Sequence, residues 1–110
     1  MSDQGSEHYL RMEVKGVAKN IHEKFPITFN YGEASGIAYF NGCRVEALEA
    51  RGDKTFTNRM DVQAFGEVAE ALVGVSEGSV IHAFGSYGQR KGKDDKYYPI
   101  VTLDEIISVD

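Results

Sequence analysis

Tryptophan is missing from this chain, cysteine occurs once, proline twice and histidine three times. Each scarcity excludes something. A lone thiol, Cys43, forms no internal disulfide and no thiolate cluster around a metal, and it reads as a small buried hydrophobe in a reducing compartment. His8, His22 and His82 fall in a polar N-terminal stretch, a loop and a strand, without the spacing of metal ligands or of a base beside its nucleophile. The segment GSYGQRKGK at 85–93 has glycines and lysines but neither the Walker spacing nor a strand-to-helix context for a nucleotide phosphate. Catalytic residues, a metal and a small-molecule cofactor are therefore not expected, and the chain does not read as an enzyme. No apolar run approaches the about 18 residues that span a bilayer. The opening MSDQGSEHYL lacks the basic and apolar parts of a signal peptide, so a cytoplasmic protein with no membrane partner is expected. Positive charge is also short, with 12 Lys and Arg against 17 Asp and Glu, a net charge of -5. Such a balance does not advertise affinity for a polyanion, although a local field can still be positive.

What is present is strand pattern. With 42% hydrophobic residues among 110, the chain reads as a loose tail over 1–9 and a single domain over 10–110. Met12 and Val14, then Val17 and Ala18, suggest a strand that changes its facing at Gly16 through a bulge or a sharp coil. Lys15 and Lys19 fall near its outer side. Pro26 holds Phe25 extended, and Ile27, Phe29 and Tyr31 continue as a short edge strand. Between Ile37 and Arg51, Asn41-Gly42 separates two apolar runs, which reads as a hairpin turn, with one curved strand bulged at Gly42 as the alternative. Arg51 to Lys54 is the next turn. Met60, Val62 and Ala64 then alternate with Arg59, Asp61, Gln63 and Phe65, a strand with one face buried. Val68 to Val73 makes a short helix that only the sheet can hold in place. Ile81, Ala83 and Tyr87 alternate with Val80, His82 and Phe84, and a mobile basic loop over 88–96 leads to a last strand with Val101 and Leu103 inward. Five or six short antiparallel strands and one short helix argue for a small closed or half-closed barrel rather than a doubly wound fold.

The pieces Phe65-Gly66, Val68-Ala69-Glu70, Glu77-Gly78-Ser79, Gly85, Lys96-Tyr97 and Asp104 occur in that order in the C-terminal half. In this order and spacing the segment MDVQAFGEVAEALVGVSEGSVIHAFGSYGQRKGKDDKYYPIVTLDEIISV is similar to the bacterial-type single-stranded DNA-binding protein family. The resemblance implies an all-β fold, a five-stranded OB-fold barrel with one short helix between strands 3 and 4. It also implies single-stranded DNA as partner, and a homodimer formed through edge strands or a homotetramer through sheet faces. The N-terminal half departs from the family. Where a stacking tryptophan is common at the start of the third strand, this chain has Arg59 with Phe56 nearby, and the acidic, phenylalanine-ended tail does not follow Asp110. The resemblance thus extends to the binding domain and not to the recruitment of other replication proteins.

Binding a single strand takes cations for phosphates and flat aromatic faces for bases. Phe65 faces away from the buried row of its strand and is placed to stack, the structural reading being that it covers the helix. Lys54 and Arg59 lie on or beside that strand for phosphate, with Phe56 near them, although solvated surface cations look the same. Arg90, Lys91, Lys93 and Lys96 supply a basic loop between two strands, which a plain solubility role would also explain. Tyr97 and Tyr98 must split between faces, one inward and one free to stack, and Tyr97 matches the family position. Tyr39 and Phe40 must split likewise, the outward one taking the missing tryptophan's place. Phe84 and His82 share an outer face, where Phe84 reads as an oligomer contact or a DNA contact and His82 as part of the oligomer contact or, as a lone histidine, simply structural. The expected function is binding of single-stranded DNA without strong sequence preference, in replication, recombination or repair. The alternative is an OB-fold protein-interaction subunit, of accessory primosomal or phage type, with little nucleic-acid binding.

Overall fold

A computed structural model describes residues 8–110, so the expected loose tail lies, for residues 1–7, outside the described part. In chain order the elements are β1 (Leu10–Asn20), β2 (Thr28–Tyr31), β3 (Ala38–Arg51), β4 (Lys54–Phe65), α1 (Glu67–Glu70), β5 (Val80–Lys91) and β6 (Tyr97–Val109). Neighbouring strands follow the order β1-β5-β6-β4-β3-β2, and an additional β1–β3 pairing closes five of them into a ring. Closure leaves β2 on the edge of β3 beside the barrel. Counted in chain order among the five strands of the ring, α1 falls between the third and fourth, and the architecture is the five-stranded OB barrel.

The strands are longer than the expected short ones, and one pairing is not antiparallel: β4 meets β6 in parallel at Val62↔Val101 and Gln63↔Thr102. Alternation places Met12, Val14 and Ala18 inward along the whole of β1. Its register with β5 runs unbroken from Leu10 to Val17, so the expected bulge and change of facing at Gly16 do not occur. Instead Gly16 stands where β1 swings onto β3, and a Cβ there would overlap the Glu46 carbonyl oxygen. The glycine marks a close backbone approach.

Asn41-Gly42 is not a hairpin turn either. It is a bulge inside a single curved β3, where Phe40 faces Ala64 but Cys43 faces Val62. A two-residue hairpin of the Asn-Gly type needs positive φ at both residues. Here Gly42 alone has it, at φ 76°. The bulge restores inward facing on both sides of itself, so Phe40 and Cys43 are both fully buried.

Val62, Ile81, Val101 and Leu72 complete the fully buried centre with them. α1 is one turn long, and further turn bonds carry the chain on, Leu72 N to Ala69 O and Val75 N to Leu72 O. Ala69, Leu72 and Val75 thereby plug the barrel. Gly66, at φ 65°, starts the helix without a side-chain cap, and its N–H is held by the Ala38 carbonyl instead. Burial in this apolar setting pushes the Cys43 thiol up to about 12, which makes it a packing group rather than a nucleophile. No helix of the described residues is long and apolar enough to cross a membrane.

Candidate nucleic-acid interface

The bulge at Gly42 builds one wall of a cleft. Because Gly42 has no side chain, the segment joining β1 to β2 crosses directly over it: a Cβ would overlap the Pro26 carbonyl oxygen. Ile21 N–H donates to the Gly42 carbonyl at 3.0 Å, and Asn20 Oδ1 accepts from Ile27 N–H at 3.0 Å. With its two ends fixed, this loop holds the Phe25 ring in solvent, 66% exposed. His22 packs against that ring with centroids 5.9 Å apart.

The opposite wall is the tip of the β5–β6 hairpin. An open cleft of about 550 Å³ lies between Ile21, His22, Phe25, Asn41 and Gly42 on one side and Arg90 to Lys93 on the other. Lys93 Nζ lies 6.0 Å from the centroid of the Phe25 ring, within range of a cation–π attraction. The expected mobile excursion is instead a compact turn over residues 92–96, since β5 runs to Lys91 and β6 begins at Tyr97. Gly92 N–H donates to the Lys96 carbonyl at 2.7 Å, and Asp95 N–H to the Gly92 carbonyl at 3.1 Å. Asp94 is consumed by the turn: it accepts from Lys96 N–H and from the Tyr98 hydroxyl. These bonds, the tyrosine's first, hold its carboxyl below the usual value. Asp95 pairs with Lys91 at 3.4 Å. Among the described residues no carboxylate pairs with Lys93 or Lys96, which leaves their charge for a ligand.

From the cleft the site runs onto the outer face of β3 and β4. Arg90 belongs to both, because its Nη2 lies 3.9 Å from Asp61 Oδ2 in β4. Asp61 faces Arg44 across the strands, Nε to Oδ1 2.8 Å. One step toward the hairpin tip, Arg59 Nε reaches Glu46 Oε2 at 2.9 Å. In the other direction the same face ends on the cross-strand aromatic pair Tyr39 and Phe65, Phe65 being 52% exposed. At about 3.3 Å per residue, Phe65 to Arg59 spans about 20 Å of strand. One stripe therefore carries arginines toward the cleft and the hairpin tip and aromatics at its other end, but its three arginines, Arg44, Arg59 and Arg90, already have carboxylate partners.

Of the residues expected in the site, Arg90, Lys91 and Lys93 line the cleft, while Arg59 and Phe65 lie on the adjoining strand face. Lys96 sits in the turn itself. The structure does not bring Lys54 and Phe56 to that stripe. They alternate in phase with Met60 rather than with Arg59, and they stand at the far tip of the β3–β4 hairpin, where Phe56 lies under Arg51 at 5.6 Å. Tyr97 and Tyr98 do not split between core and solvent: they are 62% and 42% exposed. Both lie on the part of the hairpin that extends past the barrel, so neither strand face meets the core there. Tyr98 packs on Gly92 and bonds Asp94, while Tyr97, opposite Lys91, projects from the other face of the ribbon. Tyr39 and Phe40 do split, with Phe40 inside. His82 and Phe84 lie on a different wall, the outer face of β5, and are half-buried there. His82 Nε2 is 2.6 Å from Glu13 Oε2, and Arg11 lies 5.4 Å over the Phe84 ring while bonding Asp104.

Reading the sequence missed Phe25, Arg44 and Asp61. For Phe25 a signal existed: an aromatic among charged loop residues, fixed by the proline after it, has no periodicity that would bury it. For Arg44 and Asp61 none did, because only the register of two strands makes them partners.

Barrel, helix and groove together define an OB-fold domain with an open cleft between the β1–β2 segment and the β5–β6 hairpin. No family model matches the chain, and no curated protein matches its sequence. Solved structures do resemble it. A small single-stranded DNA binding protein from Mycoplasma pneumoniae superposes with a TM-score of 0.61 at 12% identity, over 92% of this chain and 94% of that one. The protein PriB from Ralstonia solanacearum, in two structures, gives TM-scores of 0.53 at 15% identity and 0.56 at 17% identity. Each PriB comparison covers 86% of this chain and 93% of that one. At such identities the likeness is one of fold.

Proposed function

We propose that this chain binds single-stranded DNA with little sequence preference, as a binding protein and not an enzyme, in replication, recombination or repair. The observation that carries the reading is the cleft in which exposed Phe25 faces the unpaired Lys93, with Arg90 joining it to the outer face of β3 and β4. A base stacks on a flat ring whatever its identity, and a cation beside the ring meets the phosphate, so the arrangement suits a strand and not a sequence. Nearly full-length likeness to a single-stranded DNA binding protein supports the same reading. Assembly as a homodimer or homotetramer belongs to this proposal, with the cytoplasm as its compartment.

The pairing of Arg59 with Glu46 and of Arg44 with Asp61 favours a second reading, in which the face meets a protein. Titration with oligo-dT at low and then near-physiological salt, beside a duplex control, separates the two. Single-strand binding should exceed duplex binding and weaken steeply with salt as counterions are released. No binding to a strand long enough for several OB-fold sites, even at low salt, rejects the first reading and leaves the second.

A further inference from the structure

Asp61 stands between two arginines that come from different parts of the chain. Arg44, directly opposite on β3, places Nε 2.8 Å from Oδ1, and Arg90, from the β5–β6 hairpin, places Nη2 3.9 Å from Oδ2. The carboxylate is the most sheltered of the three, its side chain 14% exposed against 36% for Arg44 and 44% for Arg90. Lys19 of β1 is the register partner of Arg44 on its other side and adds a third cation to the same outer face. A structural ion pair needs one arginine. Here one carboxylate is met by two guanidiniums, one at each oxygen, and a surplus of positive charge surrounds it. One oxygen bonded by a guanidinium and the other approached by a second is also an arrangement that suits the two non-bridging oxygens of a phosphodiester.

We propose that Arg44 and Arg90 form a phosphate site for the backbone of a bound strand, and that Asp61 occupies this site until a phosphate displaces it. The proposal rests on the single-strand reading of the same face and adds to it a residue that opposes binding. Asp61 holds the guanidiniums in place while the protein is free, and its charge must be displaced or tolerated when the strand arrives. Affinity and salt dependence are both set lower than the cations alone would give.

The test is Asp61→Asn beside the unaltered protein, each titrated with oligo-dT across a salt series. Asparagine keeps an oxygen for Arg44 and removes the charge. At low salt it should bind about tenfold tighter, the effect of removing a carboxylate a few ångströms from a phosphate at the protein surface. Its plot of log K against log salt should steepen by about 0.7, one more phosphate contact on a single strand. Adding Arg44→Gln to Asp61→Asn should abolish the gain, and Arg44→Gln alone should weaken binding about tenfold, the loss of one cation beside the same phosphate. If thermal unfolding shows that the asparagine variant does not fold, Asp61→Thr, which suits a strand, takes its place. A protein that binds oligo-dT but gains neither affinity nor slope on losing Asp61 overturns the proposal and leaves the single-strand reading intact. Absence of binding in every variant overturns both.

Discussion

The two hairpins that extend past the barrel, β3–β4 and β5–β6, have similar ingredients and opposite dispositions. Each carries arginine or lysine, acidic residues and exposed aromatic rings. On β3–β4 the strand register sets Arg59 opposite Glu46 and Arg44 opposite Asp61, while Arg51 bonds Glu49 and covers Phe56. On β5–β6 the turn engages Asp94 through Tyr98 and the backbone, and only Asp95 meets a lysine. Lys93 faces an aromatic instead of an acid. Charge counting treats the two hairpins alike. What separates them is that each arginine of β3–β4 has a carboxylate partner, whereas on β5–β6 Lys93 and Lys96 have none among the described residues, and this decides which hairpin has more charge to offer a ligand.

Glycines shape both the cleft wall that faces β5–β6 and the tip of β3–β4. Gly42 and Gly52 both have positive φ, 76° and 65°, yet a Cβ at Gly42 would overlap Pro26 and one at Gly52 would meet nothing within 4 Å. Gly42→Ala should therefore cost about 3 kcal/mol in urea unfolding, left-handed strain plus overpacking. Gly52→Ala should cost about 1 kcal/mol, the strain alone. Equal losses would show that the loop over the bulge is not held by the close approach, and the wall of the cleft would lose its explanation.

That glycine also shows where reading the sequence stopped. The buried rows Met60, Val62 and Ala64, then Ile81 and Ala83, then Val101 and Leu103, were legible because alternation is local, and so was the outward placing of Phe65. Count of strands, position of the helix and closure into a barrel followed from those rows. Gly16 and Gly42 were legible only as irregularities. What each does depends on a carbonyl oxygen from another segment, Glu46 in one case and Pro26 in the other, and no window along the chain contains both partners. The site divides the same way. Arg90, Lys91 and Lys93 are adjacent and so were visible as a basic run, whereas Phe25 gains its role from a hairpin about 65 residues later. Lys54 and Phe56 were grouped with Arg59 by proximity along the chain, and the pleat puts them on the other face.

At the level of binding the sharpest contrast is between aromatics. Phe25→Ala should weaken oligo-dT binding by about 1 to 3 kcal/mol, the loss of one base stack, with unfolding little changed because the ring is already in solvent. Phe56→Ala, on the hairpin whose arginines are paired and where Arg51 already covers the ring, should leave affinity unchanged. Fluorescence anisotropy on both variants decides it. A loss at Phe56 equal to that at Phe25 would mean that the strand follows the β3–β4 tip and that the difference between the hairpins does not govern binding.

The smallest effect concerns the tyrosine that ties up Asp94. In the folded chain the Tyr98 hydroxyl and the Lys96 N–H lower the Asp94 carboxyl below its ordinary value of 3.8. A depressed acid contributes stability above its unfolded value, and the contribution is lost as pH falls through the folded value, so the window lies below about pH 4. The same bond raises the Tyr98 phenol, whose contribution is complete below its ordinary value and is lost as pH rises through the raised one. Tyr98→Phe removes the donor, so the Asp94 carboxyl should move up toward its ordinary value in an NMR titration while staying ionised at pH 7. Because its charge at neutral pH is unchanged, oligo-dT affinity should shift by less than twofold. A loss of tenfold or more from this one hydroxyl would assign the advantage of the β5–β6 hairpin to the shape of its turn and not to its unpaired cations, since the variant alters the turn and leaves every cation in place.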